Sequence, residues 1–216
     1  MRILVPTPAG DAAATVFSSD DRPRALLALG HGAGGGIDAR DLRALAADLP
    51  PKGITVALVE QPWRVAGRKI APAPKTLDAG WLPVAAFLTE RHPGLPLIVG
   101  GRSAGARVAC RTAAVTGATA VLALSFPLHP PGKPERSRAD ELLGTGLPTL
   151  VVQGATDPFG TPAEFPGLPP THRLLALPQG NHSFVAPKSA PLTLPALLTL
   201  ITDTVAAWAL DVAAAR

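Results

Sequence analysis

A serine, an aspartate and a histidine occur in that order along this chain, each just after a short apolar run. Ser103 lies in Gly-Gly-Arg-Ser-Ala-Gly, Asp157 in Gln-Gly-Ala-Thr-Asp-Pro and His182 in Gly-Asn-His. A serine hydroxyl is a poor nucleophile unless a base takes its proton and an acid orients that base. Ser, then Asp, then His is also the order found in chains with a nucleophile elbow. We therefore predict Ser103 as nucleophile, Asp157 as acid and His182 as base.

The glycines around Ser103 favour a sharp turn from a strand into a helix. The apolar run Leu97–Val99 precedes the turn, and a helical stretch through Val108 and Ala113 follows it. Such a turn forces the serine into a strained positive-φ conformation and crowds its neighbours, so that glycine is needed on both sides. The hydroxyl is then held at the helix N-terminus, and the Ala104 N–H points toward an oxyanion. A glycine-rich turn without catalytic role is the alternative.

Other histidines and acids fit this order less well. His172 precedes its predicted strand and would therefore lie at the wrong end of a parallel sheet. His129 lies between prolines in a loop that comes before any acid at a strand end. The remaining acids between the serine and the last histidine fall in a polar helix or a loop: Glu135, Asp140, Glu141 and Glu164. A surface histidine at 182 and a turn-forming Asp-Pro at 157 are the alternatives.

A second glycine-rich loop follows the apolar run Ala25–Leu29. Its small residues, from Gly30 to Gly36, let backbone N–H groups approach a substrate closely. We predict the Ala33 N–H as the second oxyanion donor and a supporting role for His31. A phosphate-binding loop is the competing interpretation, but no Walker lysine follows these glycines.

Composition excludes several other classes of function. Of 216 residues, 47% are hydrophobic and 17% charged, which favours a folded globular chain. One cysteine excludes a disulfide framework and a cysteine-based zinc site, and the five histidines lack ligand spacing, so we expect no metal and no cofactor. The net charge of +4 comes from scattered basic residues without interleaved aromatics, so we expect no nucleic-acid partner.

No targeting or membrane segment is predicted. The first apolar run is too short for a signal peptide and ends at Pro6, which favours a cytoplasmic location. The stretch from Thr112 to Gly132 carries no charge, but Gly117 interrupts it and three prolines cluster near its end. We interpret it as a helix end, a turn and one buried strand, with no membrane association.

Short apolar runs alternate with helical stretches along the chain, which predicts an α/β fold with a doubly wound, mostly parallel sheet. A segment pair near 2–5 and 13–18 adds an antiparallel hairpin at one edge, and residues 1–216 form a single domain. Predicted strands cover 25–29, 54–59, 97–99, 120–124, 149–152 and 174–177. Predicted helices begin at about Asp38, run near 77–88, follow Ser103, cover 135–143 and span about 195–213; residues 64–76 form a basic loop.

The motifs resemble those of the α/β-hydrolases, and in particular the small, capless, dienelactone-hydrolase-like branch. The similarity covers the chain from about residue 24 and lies in Gly-His-Gly-Ala-Gly-Gly-Gly (30–36), Gly-Gly-Arg-Ser-Ala-Gly-Ala-Arg (100–107), Gln-Gly-Ala-Thr-Asp-Pro-Phe-Gly (153–160) and Gly-Asn-His-Ser-Phe (180–184). It implies the α/β-hydrolase fold without a cap domain and the same Ser103, Asp157 and His182. Dienelactone hydrolases use a cysteine nucleophile, so the serine weakens the case for dienelactone as substrate. Epoxide hydrolases and haloalkane dehalogenases use an aspartate there.

The expected function is hydrolysis of small carboxylic esters through an acyl-enzyme, with a small acyl compound as the partner. The short connection after residue 124 leaves no room for a lid, which favours small soluble substrates. Candidate wall residues are Trp63, Phe126, Leu128, Phe159 and Phe184, and Arg64 or Arg102 would recognise a substrate carboxylate unless solvated or paired. Thioesterase, amidase and acyltransferase activity, and a non-catalytic scaffold, remain alternatives. Sequence does not separate a monomer from a homodimer.

Overall fold

One eight-stranded sheet forms the centre of the computed structural model, which describes residues 1–19 and 22–215. The strands lie in the order β1-β2-β4-β3-β5-β6-β7-β8 across the sheet. Their bounds are β1 Arg2–Val5, β2 Ala12–Phe17, β3 Ala25–Gly30, β4 Ile54–Glu60, β5 Leu97–Arg102, β6 Ala120–Leu124, β7 Thr149–Gly154 and β8 His172–Leu177.

Strands β3 to β8 run parallel to one another, whereas β1 and β2 form an antiparallel pair at one edge and β2 runs antiparallel to β4. The predicted doubly wound sheet and its edge hairpin are thus confirmed. The inner strands β3, β6 and β7 are buried along their whole length. Because helices cover both faces of such strands, they appear in the sequence as unbroken apolar runs.

In the described part of the chain, six α-helices form the two outer layers. Their bounds are α1 Arg40–Asp48, α2 Pro62–Val65, α3 Pro74–Arg91, α4 Ala104–Thr112, α5 Ala139–Leu143 and α6 Leu194–Ala214. Helices α1 and α6 pack on one face of the sheet, where Leu45 and Ile201 share a core cluster. Helices α3, α4 and α5 pack on the other face, where Trp81 and Val108 share the second cluster.

Several predicted boundaries move. Helix α1 begins at Arg40 rather than near Asp38, and its N-cap, Ala39, makes no side-chain cap. Helix α3 runs through Pro83, and the predicted loop at 64–76 holds the end of α2 and the start of α3. Proline inside a helix costs about 3 kcal/mol, and burial of α3's apolar side chains offsets this cost: Leu77, Trp81, Val84, Ala85 and Leu88.

Helix α6 is long and apolar enough to cross a membrane, with a mean hydropathy of 1.5 over its most apolar window. A helix that packs against a protein core meets the same criteria. In this structure one side of α6 packs on the sheet through buried residues that recur at helical spacing: Leu197, Ile201, Thr202, Val205, Ala206, Trp208 and Ala209.

The helix after β5 lies unusually close to the neighbouring strand β3. A Cβ placed on Gly105 would clash with the carbonyl oxygen of Gly30, and one on Gly101 would lie 2.5 Å from the same oxygen. Because both contacts are with backbone, no side-chain movement relieves them. Glycine at 101 and 105 therefore lets the N-terminal turn of α4 lie against β3.

We predict that Gly105→Ala destabilises the fold by about 1–3 kcal/mol, because the added methyl group must push α4 away from β3. Chemical denaturation of the purified variant and the natural chain measures this difference. Gly167→Ala is the matched control, since a Cβ there meets nothing within 4 Å and its backbone conformation suits alanine. Equal stability of the two variants would contradict the close-packing argument.

Candidate active site

Ser103 occupies the turn between β5 and α4 with φ 54° and ψ −112°, a conformation that non-glycine residues rarely adopt. The turn is held by two backbone hydrogen bonds: Ser103 N–H donates to Leu124 O (2.9 Å), and Arg107 N–H donates to Ser103 O (3.2 Å). Ser103 is the N-cap of α4, yet its hydroxyl does not cap the helix. It lies instead 3.0 Å from Nε2 of His182.

His182 is held between Ser103 and Asp157. Its Nδ1 lies 2.8 Å from Oδ2 of Asp157, a side chain that is fully removed from solvent. With the ring proton on Nδ1 donated to this carboxylate, Nε2 is free to accept the Ser103 hydroxyl. The structure therefore brings the three predicted residues into one hydrogen-bonded chain, in the geometry that proton transfer from serine to histidine requires.

Two further donors fix the Asp157 carboxylate. Phe159 N–H donates to Oδ1 at 2.8 Å, and the side-chain amide of Gln153 donates to Oδ2 at 3.0 Å. Gln153 is fully buried and also donates to the carbonyl oxygen of Gly160 at 2.7 Å. Sequence reasoning missed Gln153, although a glutamine at the end of an apolar strand, four residues before the acid, was the available signal.

The cavity in front of Ser103 has a volume of about 470 Å³. It is lined by Gly32, Ala33, Gly34, Gly35, Arg102, Ser103, Ala104, Arg107, Pro127, Arg138, Phe159, His182 and Ser183. The predicted oxyanion donors thus line the same cavity as the predicted nucleophile, Ser103. Among the described residues, neither the Ala33 nor the Ala104 N–H has a protein acceptor, so both are available to a developing oxyanion.

His31 supports the first of these two loops. It is buried, its Nδ1–H donates to Gly32 O at 2.8 Å, and its Nε2 accepts the Gln61 N–H at 3.1 Å. Burial lowers the pKa of His31, which favours the neutral ring that this pair of bonds requires. His31 therefore braces the loop that carries Ala33 and has no nitrogen free to act as a base.

Phe159 is the one predicted aromatic wall residue that lines the cavity of Ser103. Its ring lies beside that of His182, with centroids 4.3 Å apart and planes tilted by 34°. Three other predicted wall residues are corrected by the structure: Phe126 and Leu128 are buried in the core on one face of the sheet, and Phe184 is buried on the other face. Their apolar side chains pack in the two hydrophobic cores between the helices and the sheet, so they do not line the cavity of Ser103.

Trp63 and Arg64 also lie outside the cavity lining. Trp63 is buried in a narrow neighbouring cavity of about 10 Å³, which Ala33 and Ala104 share and which has room for about one water molecule. Its ring meets His31 edge-on, with centroids 5.5 Å apart. Arg64 is exposed, and its guanidinium lies 5.9 Å from the Trp63 ring centroid.

Arg102, the residue before Ser103, is paired within the protein. Its Nε lies 3.2 Å from Oδ2 of Asp41, and its Nη2 donates to His182 O at 2.6 Å and to Ser183 Oγ at 3.0 Å. This arginine therefore connects the turn that carries Ser103 to the loop that carries His182. Of the two interpretations given for Arg102, substrate recognition or pairing within the protein, the structure supports pairing. Its partner Asp41 was not predicted from the sequence.

Both side chains of the Asp41–Arg102 pair are largely buried: 4% of the Asp41 side chain and 14% of the Arg102 side chain are exposed to solvent. The paired atoms are close, but the Nε–H does not point directly at the carboxylate oxygen. Burial raises the pKa of Asp41, and the Arg102 charge only partly opposes this effect. Asp41 is thus a carboxylate whose charge depends on the cation beside it.

No group of three His, Cys, Asp or Glu side chains within residues 1–19 and 22–215 is placed to hold a metal ion.

Comparison with solved structures finds the same architecture in several proteins, one of them a lidless serine hydrolase. A lidless α/β serine hydrolase from Xanthomonas campestris superposes with a TM-score of 0.75 at 19% identity, over 97% of this chain and 94% of the other. Est1E from Butyrivibrio proteoclasticus gives 0.76 at 13% identity, over 99% of both chains. Dienelactone hydrolase from Anabaena variabilis gives 0.71 at 17% identity, over 95% of both.

The fold is therefore the α/β-hydrolase fold in its lidless form. Residues 23–210 match the sequence model of the alpha/beta hydrolase domain, and the chain belongs to this family. No curated protein matches the chain at a significant level. The predicted resemblance and the predicted absence of a cap are thus confirmed.

We predict a characteristic pH dependence of stability from Asp41. Because its pKa is raised in the folded state, the folded chain keeps this proton at a pH where the unfolded chain has lost it. The stability of the natural chain relative to Asp41→Asn should therefore fall as the pH rises above about 4 and then level off. Urea unfolding of both proteins at several pH values measures the difference.

A matched variant sharpens this test. Because Arg102 lowers the pKa of Asp41, removing this arginine should raise that pKa further. The stability of Arg102→Met relative to the Asp41→Asn/Arg102→Met double variant should therefore fall by more, and up to a higher pH, than the same difference in the natural chain. If the stability of the natural chain relative to Asp41→Asn rises with pH instead, the effect of Arg102 on the pKa of Asp41 outweighs the effect of burial.

Proposed function

We propose that this protein is a serine hydrolase that cleaves small carboxylic esters through an acyl-enzyme. The observation that carries the proposal is the continuous chain from Ser103 Oγ to His182 Nε2 (3.0 Å) and from His182 Nδ1 to Asp157 Oδ2 (2.8 Å), beside an open cavity. A merely structural glycine turn would not require the strained serine hydroxyl to face a carboxylate-bound imidazole.

In the first step, Ser103 Oγ attacks the carbonyl carbon of the ester while its proton passes to His182 Nε2. The carbonyl oxygen becomes an oxyanion, which the Ala33 and Ala104 N–H groups stabilise. The imidazolium formed is stabilised by Asp157. When the tetrahedral intermediate collapses, the bond to the alcohol oxygen breaks and His182 returns its proton to that oxygen, leaving Ser103 acylated.

In the second step, water takes the place of the alcohol. His182 Nε2 accepts a proton from the water as its oxygen attacks the acyl carbon, and the same two N–H groups hold the new oxyanion. The bond to Ser103 Oγ then breaks, the proton returns to Oγ, and the acid leaves. Phe159 limits the rotation of the His182 ring during both transfers, because it covers one face of that ring.

The size of the site supports small substrates. The connection between β6 and β7 holds one 3₁₀ turn, Pro134–Arg136, and the five-residue helix α5, with no lid over the cavity. Est1E, one of the structurally similar proteins, has been solved with bound ferulic acid. A small acyl compound of this kind fits the volume and openness of the cavity here.

We predict that a fluorophosphonate probe labels the natural chain and does not label Ser103→Ala. The probe reacts with a serine that a neighbouring base activates, and Ser103 is the serine that contacts an imidazole. In-gel fluorescence and mass spectrometry of the labelled peptide measure the reaction. Ser189→Ala, which changes an exposed serine, is the control that should label normally. A folded natural chain that stays unlabelled would favour the non-catalytic scaffold instead.

We predict that Asp157→Asn lowers kcat for p-nitrophenyl butyrate by about 10⁴, because the amide would present the wrong hydrogen-bonding pattern to the His182 Nδ1–H. Steady-state kinetics on a panel of esters, acyl thioesters and anilides measures this loss and the leaving group preferred. Fastest turnover of thioesters or anilides would replace the esterase assignment by a thioesterase or an amidase. Acyl transfer to an added alcohol, in preference to water, would identify an acyltransferase.

A further inference from the structure

Three arginine side chains line the cavity of Ser103, and two of them are neutralised. Arg102 lies against the buried Asp41. Arg107 forms a two-point ion pair with Glu141, in which Nε and Nη2 donate at 2.7 and 2.6 Å. Paired in this way, both arginines contribute little net charge to the cavity.

Arg138 is the third of these arginines and has no such partner. Among the described residues, no carboxylate oxygen lies within 4.0 Å of its guanidinium. Its Nη1 donates to the carbonyl oxygen of Pro127 at 3.1 Å, and its backbone N–H donates to Leu128 O at 2.7 Å. These bonds fix the arginine beside the cavity and leave most of its five N–H donors unused.

The surroundings of Arg138 are short of negative charge. Among the residues that the structure describes, no aspartate or glutamate lines the cavity, and Arg138 is partly buried. Burial lowers its pKa, and the neighbouring charge of Arg107 acts in the same direction, partly opposed by Glu141. A partly buried cation without a carboxylate partner is stabilised by an anion, and a guanidinium binds a carboxylate or phosphate through two parallel hydrogen bonds.

We propose that Arg138 binds an anionic group of the substrate, so that the preferred esters carry a negative charge besides the ester bond. This proposal rests on the proposed function, since it assigns a substrate class to the same cavity. The anion belongs either to the acyl part or to the alcohol part of the ester. Sequence reasoning placed the anion-binding role on Arg64 or Arg102, and the structure places the first outside the lining of the Ser103 cavity and pairs the second with Asp41.

Two matched pairs of esters test the proposal. p-Nitrophenyl hemiglutarate and p-nitrophenyl pentanoate compare a charged with a neutral acyl part. 4-Carboxyphenyl acetate and 4-carbamoylphenyl acetate compare a charged with a neutral alcohol part. The natural chain should prefer the charged member of at least one pair, and the pair that shows the preference identifies the part that carries the anion.

In Arg138→Gln, kcat/KM for the preferred charged ester should fall by about tenfold, mainly through KM, while the neutral partner changes by less than about twofold. Arg138→Lys should keep part of the preference, since it keeps the charge but loses the planar fork. Arg136→Gln is the control, because this neighbouring arginine is exposed and does not line the cavity. Equal loss for charged and neutral esters would show a structural role and overturn the proposal.

A binding measurement separates failure of this proposal from failure of the proposed function. Isothermal titration of glutarate into Ser103→Ala and into Ser103→Ala/Arg138→Gln needs no turnover. Binding that weakens about tenfold with the second substitution supports Arg138, and equal binding or none in both proteins overturns it. If the natural chain hydrolyses none of the four esters and resists the fluorophosphonate probe, the proposed function fails and titration alone decides the role of Arg138.

Discussion

The close contact between α4 and β3 is the constraint on which the candidate site depends. The contact requires glycine at 101 and 105, and it lets the chain turn from β5 into α4 within a single residue, Ser103. Positive φ at a non-glycine residue costs on the order of 1–3 kcal/mol, and it persists because the surrounding packing fixes the turn. The same contact places the loop after β3 beside the serine, where a Cβ on Gly32 would lie 3.4 Å from the Cβ of Ser103.

A second close approach holds the other half of the site together. The loops after β7 and β8 meet at Gly154, where a Cβ would clash with the carbonyl oxygens of Gly180 and Asn181. Thr156 N–H donates to Gly180 O at 2.9 Å, so that the loop of the acid is bonded directly to the loop of the histidine. Arg102 then connects the histidine loop to the nucleophile turn. Backbone contacts therefore set the spacing of Asp157 and His182, and one side chain joins them to Ser103.

Sequence patterns predicted the parts of this arrangement that depend on local chemistry. Apolar runs gave the strands to within a few residues, and the glycines around Ser103 indicated a turn that only such residues permit. Residues that act through distant partners were not predictable. Asp41 lies far from its partner Arg102 in the sequence and looks like an ordinary acid in the first turn of a helix. Phe126 and Phe184 follow strand ends as wall residues would, and only the packing of the layers shows that they point inward.

The open form of the site has a consequence for the chemistry we propose. A lid excludes water and lets a second alcohol or amine compete for an acyl-enzyme. Here the connection after β6 stays short, and the cavity in front of Ser103 remains open to solvent. Phe159 covers one side of the His182 ring but leaves its Nε2 facing Ser103 and the cavity. Water at its bulk concentration therefore reaches the base that must activate it, which favours hydrolysis over transfer in a site built this way.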